Sequence, residues 1–212
     1  MINSKIGSAF VVMLLVCCAS LVLAGGGDTS SYTAGNHSSP STGGSTAAIM
    51  MDSSADCQGY VICITHDGSV VTLDSIGITG TAASAAGAEF VVANEYANSG
   101  TLGVVLDFNS PFDGQTIAAG SGIHIANFNY SCNNAVFYTE GDPAPPTVTS
   151  ALTFEDNNDN NPPLENVTVS GGLSVYPSIT DGSCSCEPME IPAEDTELWA
   201  EAQDFPEEAH TG

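Results

Sequence analysis

Between residues 46 and 177 this chain is a succession of short apolar stretches, rich in β-branched residues and punctuated by Gly, Asn, Asp and Pro. Nothing between them carries a helical period. In the stretch 58–65, Tyr60, Ile62 and Ile64 fall on one face and Val61, Cys63 and Thr65 on the other. Leu102, Val104, Leu106 and Phe108 alternate in the same way, as do Ala126, Phe128, Tyr130 and Cys132. Successive side chains of an extended chain point to opposite faces, so each stretch presents one apolar side to a core. The pattern excludes a helical bundle and a parallel βαβ architecture.

The expected strands are 47–51, 58–65, 70–79, 89–94, 101–108, 123–132, 147–154, 164–169 and 173–176. In the third, the apolar phase slips between Leu73 and Ile76, which predicts a bulge. In the seventh, Val148, Leu152 and Phe154 are expected inward. Eight or nine such strands at short spacing predict an all-β, antiparallel sandwich of two sheets packed face to face. A closed barrel is the alternative.

Charge narrows the partners. Lys5 is the single basic residue against 25 Asp and Glu, and the formal net charge is −24. All 25 acids lie at Asp28 or beyond, so their partners must be His, backbone N–H groups or bound cations. A polyanionic surface without Lys or Arg excludes nucleic acid as a partner. Charged residues make up only 12% of the chain, so the surface is mostly Asn, Ser, Thr and Gly.

Residues 1–24 read as a signal peptide: Lys5 near the start, an apolar run from Ala9 to Leu23, and small residues before a cleavage site after Ala24. The reading is of a secreted or cell-surface protein with no membrane segment beyond that one. Residues 25–46 are Gly, Ser, Thr and Asn with little apolar content, and are expected to be a flexible linker. The sandwich is expected over 47–186, and an acidic tail, disordered or briefly helical, over 187–212. The one Trp, Trp199, lies in that tail.

Export makes disulfides the expected fate of Cys57, Cys63, Cys132, Cys184 and Cys186. Five cysteines allow two bridges and one leftover thiol, with the pairing open. The loop after Phe154 is the candidate cation site. Hard cations want oxygen ligands, and Asp156, Asn158 and Asn160 have alternate spacing like the first ligands of a calcium loop. Glu155, Asp159 and Glu165 would complete the set around Ca²⁺. Asn161 and Val167 stand where an EF-hand wants Gly and Glu, so the loop is not an EF-hand. Tyr96, Phe112, Tyr138 and Tyr176 lie near strand ends or loops and are the candidate ligand-binding aromatics, either for sugar or as rim packing. No Ser, Cys, His or carboxylate pair stands in a recognisable nucleophilic or acid/base context, so an enzyme is not expected.

Several segments together resemble the cohesin-like domains of secreted bacterial proteins. They are the run from Gln58 to Asp67, Val71-Thr72-Leu73, Gly103 to Phe108, Ala126 to Tyr130, and Asn166 to Gly172. The resemblance implies a jelly-roll sandwich and a non-catalytic module. Cohesins bind dockerin partners in cell-surface polysaccharide-degrading assemblies, and related sandwiches bind carbohydrate. It therefore implies an extracellular protein or polysaccharide as partner. The alternative is a self-assembling subunit of an extracellular fibre or surface layer, joined by strand exchange and Ca²⁺ bridges between copies.

Overall fold

A computed structural model describes residues 27–156 and 164–193. The elements in chain order are β1 (Ser30–Ala34), β2 (Asn36–Pro40), β3 (Gly44–Ser53), β4 (Cys57–Thr65) and β5 (Val71–Gly77). A single helical turn, α1 (Ala82–Ala85), precedes β6 (Phe90–Tyr96), β7 (Ser99–Val105) and β8 (Gly120–Cys132). Then come β9 (Phe137–Thr139), β10 (Val148–Phe154), β11 (Val167–Ser170) and β12 (Leu173–Val175). β13 (Ser178–Thr180), β14 (Gly182–Glu187) and β15 (Met189–Ile191) complete the described chain.

The strands form two large sheets. Sheet I has the order β13-β1-β3-β8-β5. Sheet II is built on β4, which pairs with β7 along its length on one side and with β11 and then β10 on the other. β6 extends it beyond β7, β12 beyond β11, and β14 and β2 beyond β10. β9 and β15 form a separate two-stranded ladder.

The alternating residues close the core between the sheets. Tyr32, Ile49, Met51, Phe128 and Tyr130 from sheet I, and Tyr60, Ile62, Ile64, Leu102 and Leu152 from sheet II, are all at most 1% exposed. Burying each such side chain stabilises by about 1.5–3 kcal/mol. Two phenols cross the core to carbonyls of the opposite sheet: Tyr60 Oη donates to Ile125 O (2.6 Å) and Tyr32 Oη to Val167 O (2.7 Å). The expected bulge is present, as a register shift between Leu73 and Ser75 where β5 pairs with β8.

Four expectations change. The segment 25–46, read as a linker, carries β1, β2 and the start of β3. β1 sits between β3 and β13 with Tyr32 fully buried, and β2 pairs with β14. The reason is pairing: a Ser/Thr-rich strand contributes backbone hydrogen bonds and hydroxyls, such as Ser30 Oγ against Thr168 Oγ1 at 2.8 Å, in place of apolar area. The same pairings make the sheets mixed, because β1–β13, β2–β14 and β9–β15 are parallel. The acidic segment begins as structure too, since β14 reaches Glu187 and β15 follows. Val148, expected inward, is 44% exposed at the start of its strand. The segment read as a signal peptide and the tail from residue 194, including Trp199, lie outside the described residues.

Cysteine pairing also differs. Among the described residues one disulfide forms, Cys132–Cys186, and it joins β8 of sheet I to β14 of sheet II. Cys57, Cys63 and Cys184 are buried free thiols. Cys57 and Cys63 lie six residues apart on one extended strand, about 20 Å, far outside the ~7 Å Cα reach of a bridge.

Candidate functional site

β4 is apolar on both faces, the mark of a central strand whose outer side is also covered or destined for contact. Directly paired residues of a ladder project to the same side, so the register carries its outer face across four strands. One row runs Val92, Gly103, Val61, Val167 across β6, β7, β4 and β11. The next runs Phe90, Val105, Gly59, Val169 and ends at Ser174 on β12. Asn94, Thr101 and Cys63 form a third row, and Tyr96, Ser99 and Thr65 a fourth.

The first two rows make an apolar surface with a low centre. Val92, Val105, Val167, Val169 and Phe90 are half-buried, while Val61 between them is 7% exposed. Phe108 lies against Phe90 with ring centroids 5.0 Å apart and keeps 37% of its surface in solvent. Two glycines lower the middle. Nothing stands within 4 Å of where a Cβ on Gly103 would be, whereas a Cβ on Gly59 would lie 2.6 Å from Val104 O. The first leaves open space above the sheet; the second keeps the strands in contact.

Acids surround this patch, and they are held by backbone. Glu89, just before β6, accepts from Phe108 N (2.7 Å) and Asn109 N. Asp107, just after β7, accepts from Gly114 N (2.7 Å). Asp156 accepts from both Asn166 N (2.7 Å) and Asn166 Nδ2 (3.0 Å), and Asn166 in turn accepts from Cys63 N (2.7 Å). The pattern is general: Asp52, Asp56, Asp67, Glu95 and Asp181 also accept a backbone N–H. Where Lys and Arg are absent beyond Lys5, carboxylates organise turns through backbone donors.

The residues singled out from sequence are dispersed. Tyr96 (45% exposed) ends the fourth row of the outer face. Phe112 (73% exposed) is on the loop between β7 and β8, and Tyr138 is half-buried on β9. Tyr176 (54% exposed) follows β12 beside Glu165, whose charge is the main cause raising its phenol above the ordinary value. Among the described residues no ring contact joins any two of the four. Of the candidate calcium ligands, Glu155, Asp156 and Glu165 are described; Asn158, Asp159 and Asn160 lie outside the described residues. Among the described residues no group of three or more His, Cys, Asp or Glu is placed to hold a metal ion.

Cys57 and Cys63 are not activated. Burial first, then the charges of Asp156 and Glu165, push Cys63 up to about 12; burial pushes Cys57 up to about 11. A reactive cysteine needs the opposite direction. His124 is engaged with Asn127 Oδ1 at 2.9 Å.

No family model and no curated protein sequence matches this chain. Solved structures do. The sixth cohesin of scaffoldin B from Acetivibrio cellulolyticus, in complex with a dockerin, aligns at TM-score 0.54 and 11% identity, over 75% of this chain and 99% of that one. The chain has the cohesin-like fold. A type I cohesin–dockerin complex from Clostridium thermocellum aligns at TM-score 0.56 and 10% identity, covering 76% and 95%. The seventh type I cohesin of ScaB from Pseudobacteroides cellulosolvens gives 0.52 and 12%, covering 76% and 94%. At these identities the cohesin-like match speaks for the fold, and function has to come from the surface.

The valines of the outer face were missed from sequence as a site. Their signal was present in Val61 and Val105, which break the apolar-in, polar-out alternation of their strands.

Proposed function

We propose that this chain is a non-catalytic, extracellular protein-binding module whose contact surface is the outer face of β6, β7, β4 and β11. The carrying observation is the double row of Val92, Val61, Val167, Phe90, Val105 and Val169 on that face. A contiguous, partly exposed apolar surface ringed by polar groups is the signature of a protein interface. The acids at its edge, in a chain with no base after Lys5, select a partner that presents apolar side chains within a basic rim. The cohesin-like fold supports a dockerin as the first partner to test, since two of the solved neighbours are complexes with dockerins. The raised Cys57 and Cys63 thiols and the engaged His124 support a role without chemistry.

The test is a calorimetric titration of the protein with a panel of dockerin domains, repeated on Val92→Asp and Val167→Asp. Binding that both substitutions abolish, and that weakens as salt rises, is expected. Binding unchanged in both would remove this face from consideration.

A further inference from the structure

We infer that the chain carries a second, independent binding site: a hydroxyl-lined cleft at the end of sheet I that takes a neutral polyol, a single pyranose unit. The cleft has a volume of about 400 Å³, within the range of small-ligand sites. It lies where the first residues of β1, the last residues of β3, the start of β8 and the start of β13 converge. The register brings them together, with Ser31 paired to both Asp52 and Ser178, and Ser53 paired to both Ser30 and Gly120.

The lining decides the ligand class. Seven of its nine residues carry a hydroxyl; the other two are Asp52 and Gly120. No aliphatic or aromatic residue is among them, so the cleft offers no large apolar side chain to anchor a hydrophobic ligand. No base is present and the chain carries −24, which excludes an anion. A free metal ion would need several charged oxygens, and Asp52 is the single carboxylate. Its charge is already answered: Oδ1 accepts from Gly122 N (2.7 Å) and Oδ2 from Ser31 Oγ (3.2 Å). What remains is a wall of groups that both donate and accept, with a carboxylate able to accept further from a vicinal diol. Other hydroxyls are fixed by the fold. Ser53 donates to Ala55 O (2.6 Å), Ser54 accepts from Thr29 N (2.8 Å) and Ser30 meets Thr168. The exposed hydroxyls of Thr29 and Ser121 make no hydrogen bond to a described residue and are free to turn toward a ligand. A site without an aromatic platform binds a single sugar weakly, in the millimolar range, and suits a repeating glycan met many times.

The cleft lies on sheet I, away from the outer face of sheet II, so it is tested without reference to the protein partner. The ¹H–¹⁵N spectrum of the protein is followed while glucose, galactose, mannose or N-acetylglucosamine is added to about 50 mM. Wild type, Asp52→Ala and Ser121→Phe are compared, with thermal melts to confirm that each variant folds. The expected result is saturable shifts confined to residues 29–31, 52–54, 120–122 and 178 with at least one sugar. Asp52→Ala should weaken them about tenfold, as loss of a charged hydrogen-bond acceptor does, and Ser121→Phe should abolish them. Absence of shifts with every sugar, shifts that survive both substitutions, or shifts produced only by CaCl₂ would each overturn the assignment. If Asp52→Ala fails to fold, Ser121→Phe alone decides, because Ser121 is exposed at the mouth and makes no hydrogen bond among the described residues.

Discussion

Removing the disulfide between Cys132 and Cys186 tests how the two sheets are held together. The bridge spans 54 residues of sequence and joins β8 of sheet I to β14 of sheet II. In the chain-entropy account, closing a loop of that length restricts the unfolded ensemble by about 14 cal/mol/K, or about 4 kcal/mol at 25 °C. For a domain of this size that corresponds to a fall in Tm of about 8–16 °C. The double variant Cys132→Ser/Cys186→Ser is the right perturbation, because a single substitution leaves a new thiol beside Cys184. Melting is followed by near-UV circular dichroism, with wild type measured oxidised and reduced. Reduced wild type and the double variant should melt together, well below oxidised wild type, and both should still fold. A difference under about 1 kcal/mol would show that the sheets are held by packing alone and that the entropic reasoning fails here.

Three further outcomes follow from particular contacts. Gly59→Ala places a Cβ 2.6 Å from Val104 O, so β4 and β7 must separate; a loss of about 2 kcal/mol is expected in chemical denaturation, while Gly103→Ala, with open space above it, should cost under about 1 kcal/mol. Thr168→Val leaves the Ser30 and Tyr32 hydroxyls without their shared partner, and should lower stability by about 1–3 kcal/mol in the same assay. His66 is buried against Tyr130, and burial lowers its pKa below 6.5, so the unfolded chain binds more protons than the folded one. Stability is therefore fully present above the unfolded pKa and is lost as pH falls through about 6.5; in melts from pH 7.5 to 5, His66→Phe should flatten that dependence.

Much of the fold was legible because period-two alternation is strong wherever one face is buried. Tyr60, Ile62 and Ile64, or Leu102 and Val104, announce their faces without help from the rest of the chain. The bulge after Leu73 was legible for the same reason, as a slip of phase. β1 and β2 were not, because Ser, Thr and Asn carry no apolar signal. These strands are held by backbone pairing with β13 and β14, nearly 150 residues away in sequence, and by hydroxyl contacts that composition cannot display. The C-terminal strands were hidden by the same fact seen from the other side. The proposed contact face was half legible. A central strand apolar on both sides already asks what covers its outer face, but only the register shows Val92, Val61 and Val167 in one line. The four candidate aromatics are dispersed because nearness to a strand end says nothing about which end of the sandwich it is.

The outer face of sheet II is the surface proposed to receive a protein partner. Hydrogen exchange on the protein, alone and saturated with a dockerin that binds it, tests this most directly. Slowed exchange along β6, β7, β4 and β11, with sheet I unchanged, is the predicted result; slowing confined to β1, β3, β8 and β5 would contradict it.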